Sequence, residues 1–220
     1  MIDFSLWDIY RNLLLALRWT VGLSLIAFVG GGIVGGLLLV VRLSKRVWLR
    51  RSVVLYVNLF QGTPLLMQLF LTYFGLAFLG VDTSPLFAAS LCLTLYASAY
   101  LTEIWRGSVN SIDRQQWEAS ASLALSFGEQ LRYVILPQAL RVAIAPTVGF
   151  MVQAIKATAL ASVIGFVELT RSGQIISNAT FSPFLVYGSV AVLYFVLCFP
   201  LSLWSRHLEK HLTRGALGHD

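Results

Sequence analysis

Apolar residues in this chain come in long unbroken runs, with polar residues gathered between them. Five runs stand out, at 19–41, 53–79, 86–107, 142–165 and 184–205. Each reaches the roughly 20 residues that a helix needs to cross the hydrocarbon core of a bilayer. The pattern therefore predicts an all-α polytopic membrane protein of five transmembrane helices, a single unit over 1–220. Two segments depart from it. The opening "FSLWDIYRNLLLALRW" mixes aromatic, apolar and charged residues, which predicts an interfacial helix along the outer leaflet. Between the third and fourth runs, 113–137 reads as a polar helix, a break around Ser126–Gly128, a short amphipathic piece "EQLRYVI" and then Leu136-Pro137. Too short to cross, it is expected to lie against one face of the membrane.

Composition agrees: 57% of residues are apolar, 12% are charged and the mean hydropathy is +0.76. These values exclude an ordinary water-facing domain. A net charge of +6 would admit nucleic acid as a partner, but the charges fall between the runs, as membrane topology dictates. Arg42, Lys45, Arg46, Arg50 and Arg51 follow the first run. Arg106, Arg114, Arg132 and Arg141 surround the polar segment, and Arg206, Lys210 and Arg214 close the chain. Arg11, Arg18 and Arg171 fall on the opposite side. The positive-inside bias places the N-terminus outside, and the 113–137 loop and the C-terminus in the cytoplasm. Asp3 and Asp8 argue against a cleaved leader. Cys92 and Cys198 read as small apolar residues within spans, and His207 with His211 lacks a third metal ligand.

Several polar groups stand inside the runs, where each has a cost. Gly31 with Gly35, and Gly32 with Gly36, form small-xxx-small pairs that allow close helix packing. On one continuous helix Asn58, Gln61, Gln68 and Thr72 would fall at about 0°, 300°, 280° and 320°, a narrow polar wedge. Gly62 and Pro64 interrupt it, leaving either a ligand-binding broken helix or a kink whose amides bond to neighbours. Lys156, with Gln153 three residues before it, is read as a carboxylate contact, with snorkelling to the outer surface as the alternative. Glu103 and Arg106 are spaced to pair on one helix face. No nucleophile triad, His-Glu-x-x-His or paired carboxylates occur in the runs.

Here a resemblance becomes specific. "EAS" at Glu118-Ala119-Ser120, then Ala124, then "VILP" ending in Leu136-Pro137 resembles the signature loop of permease subunits of binding-protein-dependent ABC importers, which reads Glu-Ala-Ala, a later Gly and Ile-x-Leu-Pro. "FQGTPLLMQLF", "AYLTEIWRGSVNSI", "VILPQALRVAIAPTVG" and "SVIGFVELTRSGQ" extend the likeness over nearly the whole chain. In order and spacing they are similar to the polar amino acid importers, the histidine/glutamine/arginine permease-like group. The resemblance implies a type I importer permease in a bacterial inner membrane. Its coupling helix, with Glu118, Ala119, Ser120, Ala124, Gly128, Leu136 and Pro137, docks on a separate ATPase. Other implied partners are a second permease copy, identical or related, a periplasmic or extracellular solute-binding protein, an amino acid substrate and membrane lipid, and no nucleic acid. It implies no enzyme activity or cofactor in this chain, with ATP and Mg held by the ATPase.

The departures from the family pattern carry information. Ser120 and Ala124 replace Ala and Gly, and the turn loses a glycine's access to positive φ. The fourth span reads Lys156-Ala157-Thr158-Ala159-Leu160 where relatives often have Lys-Asp-Thr-Ser-Leu. Without that acid, an acidic or neutral amino acid suits the path better than a basic one. The path residues expected are Asn58, Gln61, Thr63, Gln68, Glu103, Gln153, Lys156 and Thr158. The rival readings are an ion-coupled secondary transporter using Glu103 and Lys156, and a purely structural membrane subunit.

Overall fold

The structure, a computed structural model, describes residues 5–44 and 46–216, with side chains described to Lys210. Asp3, Lys45, and the side chains of His211 and Arg214 therefore lie outside the described residues. The described chain is helical throughout.

The first helix, α1 (Leu6–Arg42), is started by a capping box in which Ser5 and Asp8 satisfy each other's backbone N–H groups. It then runs unbroken for 37 residues, about 55 Å against a hydrocarbon core of about 30 Å. This corrects the expectation of a separate interfacial helix. Ile9 and Leu13 are buried against Leu169, Ile176, Val186 and Val190, so this segment has a protein partner and continues the span.

The second run also differs from a single span over 53–79. It forms α2 (Val47–Gly62) and α3 (Leu65–Phe78), bent by 104° at Thr63-Pro64. The bend dissolves the polar wedge, because Gln68 and Thr72 now stand on a different helix axis from Asn58 and Gln61. The pair still runs the length of α4. Arg50, in the first turn of α2, shares a cavity with Arg106 and Asn110 at the end of α4 (Pro85–Asn110). Leu69 of α3 packs with Ala88, Ala89 and Cys92 at the start of α4. With α2 beginning at one end of α4 and α3 reaching the other, the bent pair is a candidate fifth span beside the four long apolar helices.

Close packing of α1 on α4 organises the bundle. A Cβ placed on Gly31 would lie 2.5 Å from the Cβ of Ala97, and one on Gly35 would lie 3.0 Å from the Ser98 carbonyl oxygen. Thr102 donates from its hydroxyl to the Gly35 carbonyl at 3.2 Å. The second glycine pair, Gly32 and Gly36, meets only the edge of Trp105.

Beyond α4, the polar segment folds as α5 (Arg114–Ser122), a turn, a single helical turn α6 (Phe127–Glu129) and a π-helical stretch Gln130–Ile135. That stretch runs directly into α7 (Leu136–Ala157), and Pro137, within the continuous helix, leaves a carbonyl of the preceding π-helical turn without an amide partner. The fourth span therefore starts before residue 142. At its far end α7 tightens into a 3-10 helix, Thr158–Ile164, stopped by Gly165 at φ +89. A short helix α8 (Leu169–Thr180) and the long apolar helix α9 (Pro183–Ala216) complete the fold.

Candidate translocation and coupling sites

Two regions carry the candidate chemistry, one midway along the bundle and one at its loop end.

In the bundle, residues 95–100 of α4 are the meeting place. Tyr56 of α2 sends its hydroxyl to the Leu95 carbonyl at 2.9 Å and lies 2.7 Å from the Ser98 hydroxyl. Gln61 donates to the Ala99 carbonyl at 3.5 Å, a long bond. From the other side Gln153 of α7 donates to the Tyr96 hydroxyl at 2.9 Å. Tyr100 and Phe150 stack with centroids 5.4 Å apart, and Tyr96 leans on Tyr100 at 4.6 Å. Sequence reasoning missed Tyr96 and Tyr100. The available signal was the spacing of four in "YASAY", which puts two phenols on one helix face.

Lys156 lies three residues after Gln153, rotated from it by about 60° on the helix, and is exposed. It forms no ion pair with any other described residue. Ala157, beside it, packs inward against a buried cluster. Asn58 and Thr63 are exposed on or beside α2. The remaining expected path residues are placed differently. Gln68 is a clamp for the bend: its amide nitrogen donates to the Phe60 carbonyl at 2.9 Å, the Thr63 carbonyl at 3.1 Å and the Thr63 hydroxyl at 2.8 Å. Thr158 is fully buried and donates to the Ile155 carbonyl. Glu103 is held at the loop end of the bundle between Arg106, at 2.6 Å, and Arg42, at 3.6 Å. These three have intramolecular partners in the structure; Gln61 and Gln153 both reach α4, at Ala99 and Tyr96, while Lys156 has Cys198 of α9 within its electrostatic reach.

A buried carboxylate that sequence reasoning did not single out lies at the end of the bundle opposite the loop. Glu168 is 0% exposed and caps α8, accepting from the backbone N–H groups of Thr170 and Arg171 at 2.9 Å each. It also accepts from the Tyr194 hydroxyl at 2.9 Å and the Thr20 hydroxyl at 3.3 Å, which ties α8 to α9 and α1. Burial raises its pKa above the usual carboxylate range, against the pull of those donors. The signal was present in "FVELTR", an acid placed to cap the residues that follow it.

At the loop end, α5 is capped by Asp113, which accepts from the Gln115 backbone. Its inner face buries Ser120 and packs Trp117 with Val109, Ile135 and Ala139, joined by Leu136. Trp117 stacks on Phe127 at 5.9 Å. The outer face presents Glu118, Ala119, Ser122, Leu123 and Ala124. Leu123 is an apolar side chain 75% exposed at the tip of a polar loop. Ala124 occupies the left-handed region at φ +58, the conformation in which a glycine would be free of strain. Ser126 and Glu129 close a second capping box, whose hydrogen bonds hold Glu129 below the usual carboxylate range. Gly128 and Pro137 are exposed beside it. Of the expected coupling residues, Ser120 and Leu136 are turned into the protein and the others face outward.

Comparison with known proteins covers both regions. Residues 27–214 match the family described as binding-protein-dependent transport system inner membrane component. The chain is 32% identical to the probable amino-acid ABC transporter permease protein YckA of Bacillus subtilis, over 96% of this chain and 97% of that one. It is 35% identical to the glutamine transport system permease protein GlnP of Escherichia coli, over 94% and 96%. Among solved structures, the crystal structure of an amino acid ABC transporter with histidines superposes with a TM-score of 0.90 at 31% identity, covering 96% of this chain and 99% of that one.

Proposed function

This chain belongs to the family of binding-protein-dependent transport system inner membrane components, and on that premise we propose that it conducts an acidic or neutral polar amino acid past Gln61, Gln153 and Lys156. As a permease subunit of an amino acid ABC importer it is integral to the inner membrane and hydrolyses no ATP itself. ATP is hydrolysed by a partner ATPase, and substrate arrives on a binding protein.

The observation that carries the substrate reading is Lys156, exposed and without an ionic partner among the described residues, one turn from Gln153. An ammonium at that depth is expensive unless something meets it, and a substrate carboxylate does so. Ala157 offers no acid to hold a substrate side-chain ammonium. Tyr96, which accepts from Gln153, and Tyr100 against it add hydroxyls and ring faces on the Gln153 side.

The proposed cycle is alternating access. Two permease chains, identical or related, flank the path. The ATPase pair grips the outward face of α5, and nucleotide-driven closure moves the loops as rigid bodies, shifting a two-state equilibrium. The positive-inside bias puts α5 and the C-terminus in the cytoplasm and the start of α1 outside, in keeping with five traverses.

The assembled importer in proteoliposomes tests this through ATP hydrolysis with saturating binding protein and a panel of acidic, neutral and basic amino acids. Acidic or neutral ligands are expected to stimulate it. Lys156→Gln should raise the substrate concentration for half-maximal uptake by about tenfold, the loss of one charge-assisted hydrogen bond. Stimulation by basic amino acids alone, or a Lys156→Gln importer with unchanged uptake, would overturn the substrate reading.

A further inference from the structure

The loop end of the bundle has a cavity that neither the path nor the coupling face uses. It has a volume of about 500 Å³ and is lined by Arg42, Leu43, Ser44, Arg50, Arg106 and Asn110. Three guanidinium groups therefore converge on it from α1, α2 and α4. The one carboxylate among them, Glu103, is shared by Arg106 at 2.6 Å and Arg42 at 3.6 Å. One negative charge against three positive ones leaves the site with an excess of two.

The hydrogen bonding is also incomplete. Nε of Arg42 is buried and has no hydrogen-bond partner, since 3.6 Å to Glu103 is too long for one. Arg50 makes no ion pair with a described residue. The start of α2 adds to the field: this 16-residue helix has no side-chain cap, so its first N–H groups are open to an anion. The facing ends of α1 and α4 contribute carbonyl groups of opposite sign, which the arginines outweigh.

We propose that this cavity is a binding site for a phosphate group, filled by the headgroup of an anionic membrane phospholipid. Planar, permanently charged guanidinium groups fit phosphate oxygens in pairs, and the buried Arg42 Nε lacks only an acceptor of that kind. Lipid is the source that the surroundings favour. Val47 and Trp48, beside the cavity on α2, are exposed apolar and aromatic side chains at the end of a span, where bilayer headgroups lie. A headgroup seated here would brace the start of α2 against the ends of α1 and α4, and so the base of the bent α2–α3 pair. The site rests on its own residues and shares none with the proposed substrate path.

Native mass spectrometry of the assembled importer in mild detergent provides the test, with phosphatidylglycerol titrated against phosphatidylcholine, and inorganic phosphate in a separate arm. The complex is expected to retain phosphatidylglycerol in preference to phosphatidylcholine. Arg50→Gln should weaken that retention about fivefold, the equivalent of one surface arginine, and Arg50→Lys should restore it only in part, keeping the charge without the paired guanidinium contacts. Arg50 makes no structural pair, so this variant should fold. Equal retention of both lipids, or retention unaffected by Arg50→Gln, would overturn the proposal. Displacement of the lipid by millimolar inorganic phosphate would support the phosphate chemistry and reject the lipid as its specific source. Loss of the ATPase subunit from Arg50→Gln with lipid retention intact would reassign the arginines to protein docking.

Discussion

Single residues here are strained or orphaned for identifiable reasons, and two of them give predictions whose sign is opposite to habit. Ala124 is held at φ +58, which costs a residue with a Cβ roughly 1 kcal/mol. Ala124→Gly removes that strain and gives back part of the gain as unfolded-chain entropy, so its net effect should be neutral to stabilising by about 0.5 kcal/mol. Ala121→Gly, one turn earlier within α5, should instead cost about 1 kcal/mol. Thermal unfolding of the two variants in one detergent checks the contrast, and equal destabilisation would show that the turn is not strained. Glu168 makes the second case. Glu168→Ala would leave the Thr20 hydroxyl and two backbone N–H groups without their acceptor, at about 1–3 kcal/mol for each left unsatisfied, while Tyr194 could turn to the Thr170 hydroxyl. Because burial raises the folded-state pKa, the folded chain holds its proton more tightly than the unfolded chain does. That contribution is present below the unfolded pKa and is lost as pH rises through the folded value. Wild-type unfolding temperature should therefore fall across that window with rising pH, and Glu168→Gln should flatten the slope; a slope that Glu168→Gln leaves unchanged would assign the pH dependence to another group.

Helices were the most legible scale of this chain, and the misreadings among them share one physical cause. Hydropathy reports which residues avoid water, so five candidate spans could be read from five runs, and the coupling hairpin from its polarity. It does not report what an apolar residue packs against. Ile9 and Leu13 look like an interfacial face, yet they meet α8 and α9, and the helix continues through them. The wedge of Asn58, Gln61, Gln68 and Thr72 is divided by the 104° bend at Pro64, where the sequence placed an interruption, and Gln68 bonds across the bend as the kink reading had it. Tyr96 and Glu168 were in plain view, but their partners lie on helices remote in sequence. The glycine pairs show where spacing stops being informative: both pairs fit small-xxx-small, and contact alone separates them. Gly31→Ala should destabilise the bundle by about 1–3 kcal/mol, since its Cβ would sit 2.5 Å from that of Ala97 and the α1–α4 contact would have to open. Gly32→Ala meets nothing closer than Trp105 at 3.8 Å and should be neutral or mildly stabilising. Unfolding temperatures of the two variants decide it, and similar losses for both would mean that close packing is not centred on Gly31.

At the scale of the molecule, the proposed cycle requires a pull on one exposed loop to become a shift of the whole bundle, and α5 is packed closely enough for that. The inner face of α5 is locked to α4 and α7 through Trp117, Val109, Ile135, Leu136 and Ala139, and the π-helical stretch leads into α7 without a loop. Force on α5 therefore reaches Gln153 and Lys156 along one helix, about 30 Å from its start at Leu136. The gripping point we propose is Leu123, 75% exposed with Glu118 on the same outward face. An exposed leucine at the tip of a polar loop is costly in water and suits a buried anchor in a partner's groove. Leu123→Asp is accordingly expected to leave the unfolding temperature of the purified permease nearly unchanged while weakening ATPase retention more than tenfold and abolishing ligand-stimulated hydrolysis. Leu136→Asp, placed in the buried cluster, should instead lower the unfolding temperature outright, so stability and coupling separate between the two variants. Co-purification of the ATPase subunit, scored beside a melting curve, reads both effects. If Leu123→Asp combined with Glu118→Arg still retains the ATPase and responds to loaded binding protein, the outward face of α5 is not where the motor grips, and the rigid path from α5 to Lys156 has no driver at that end.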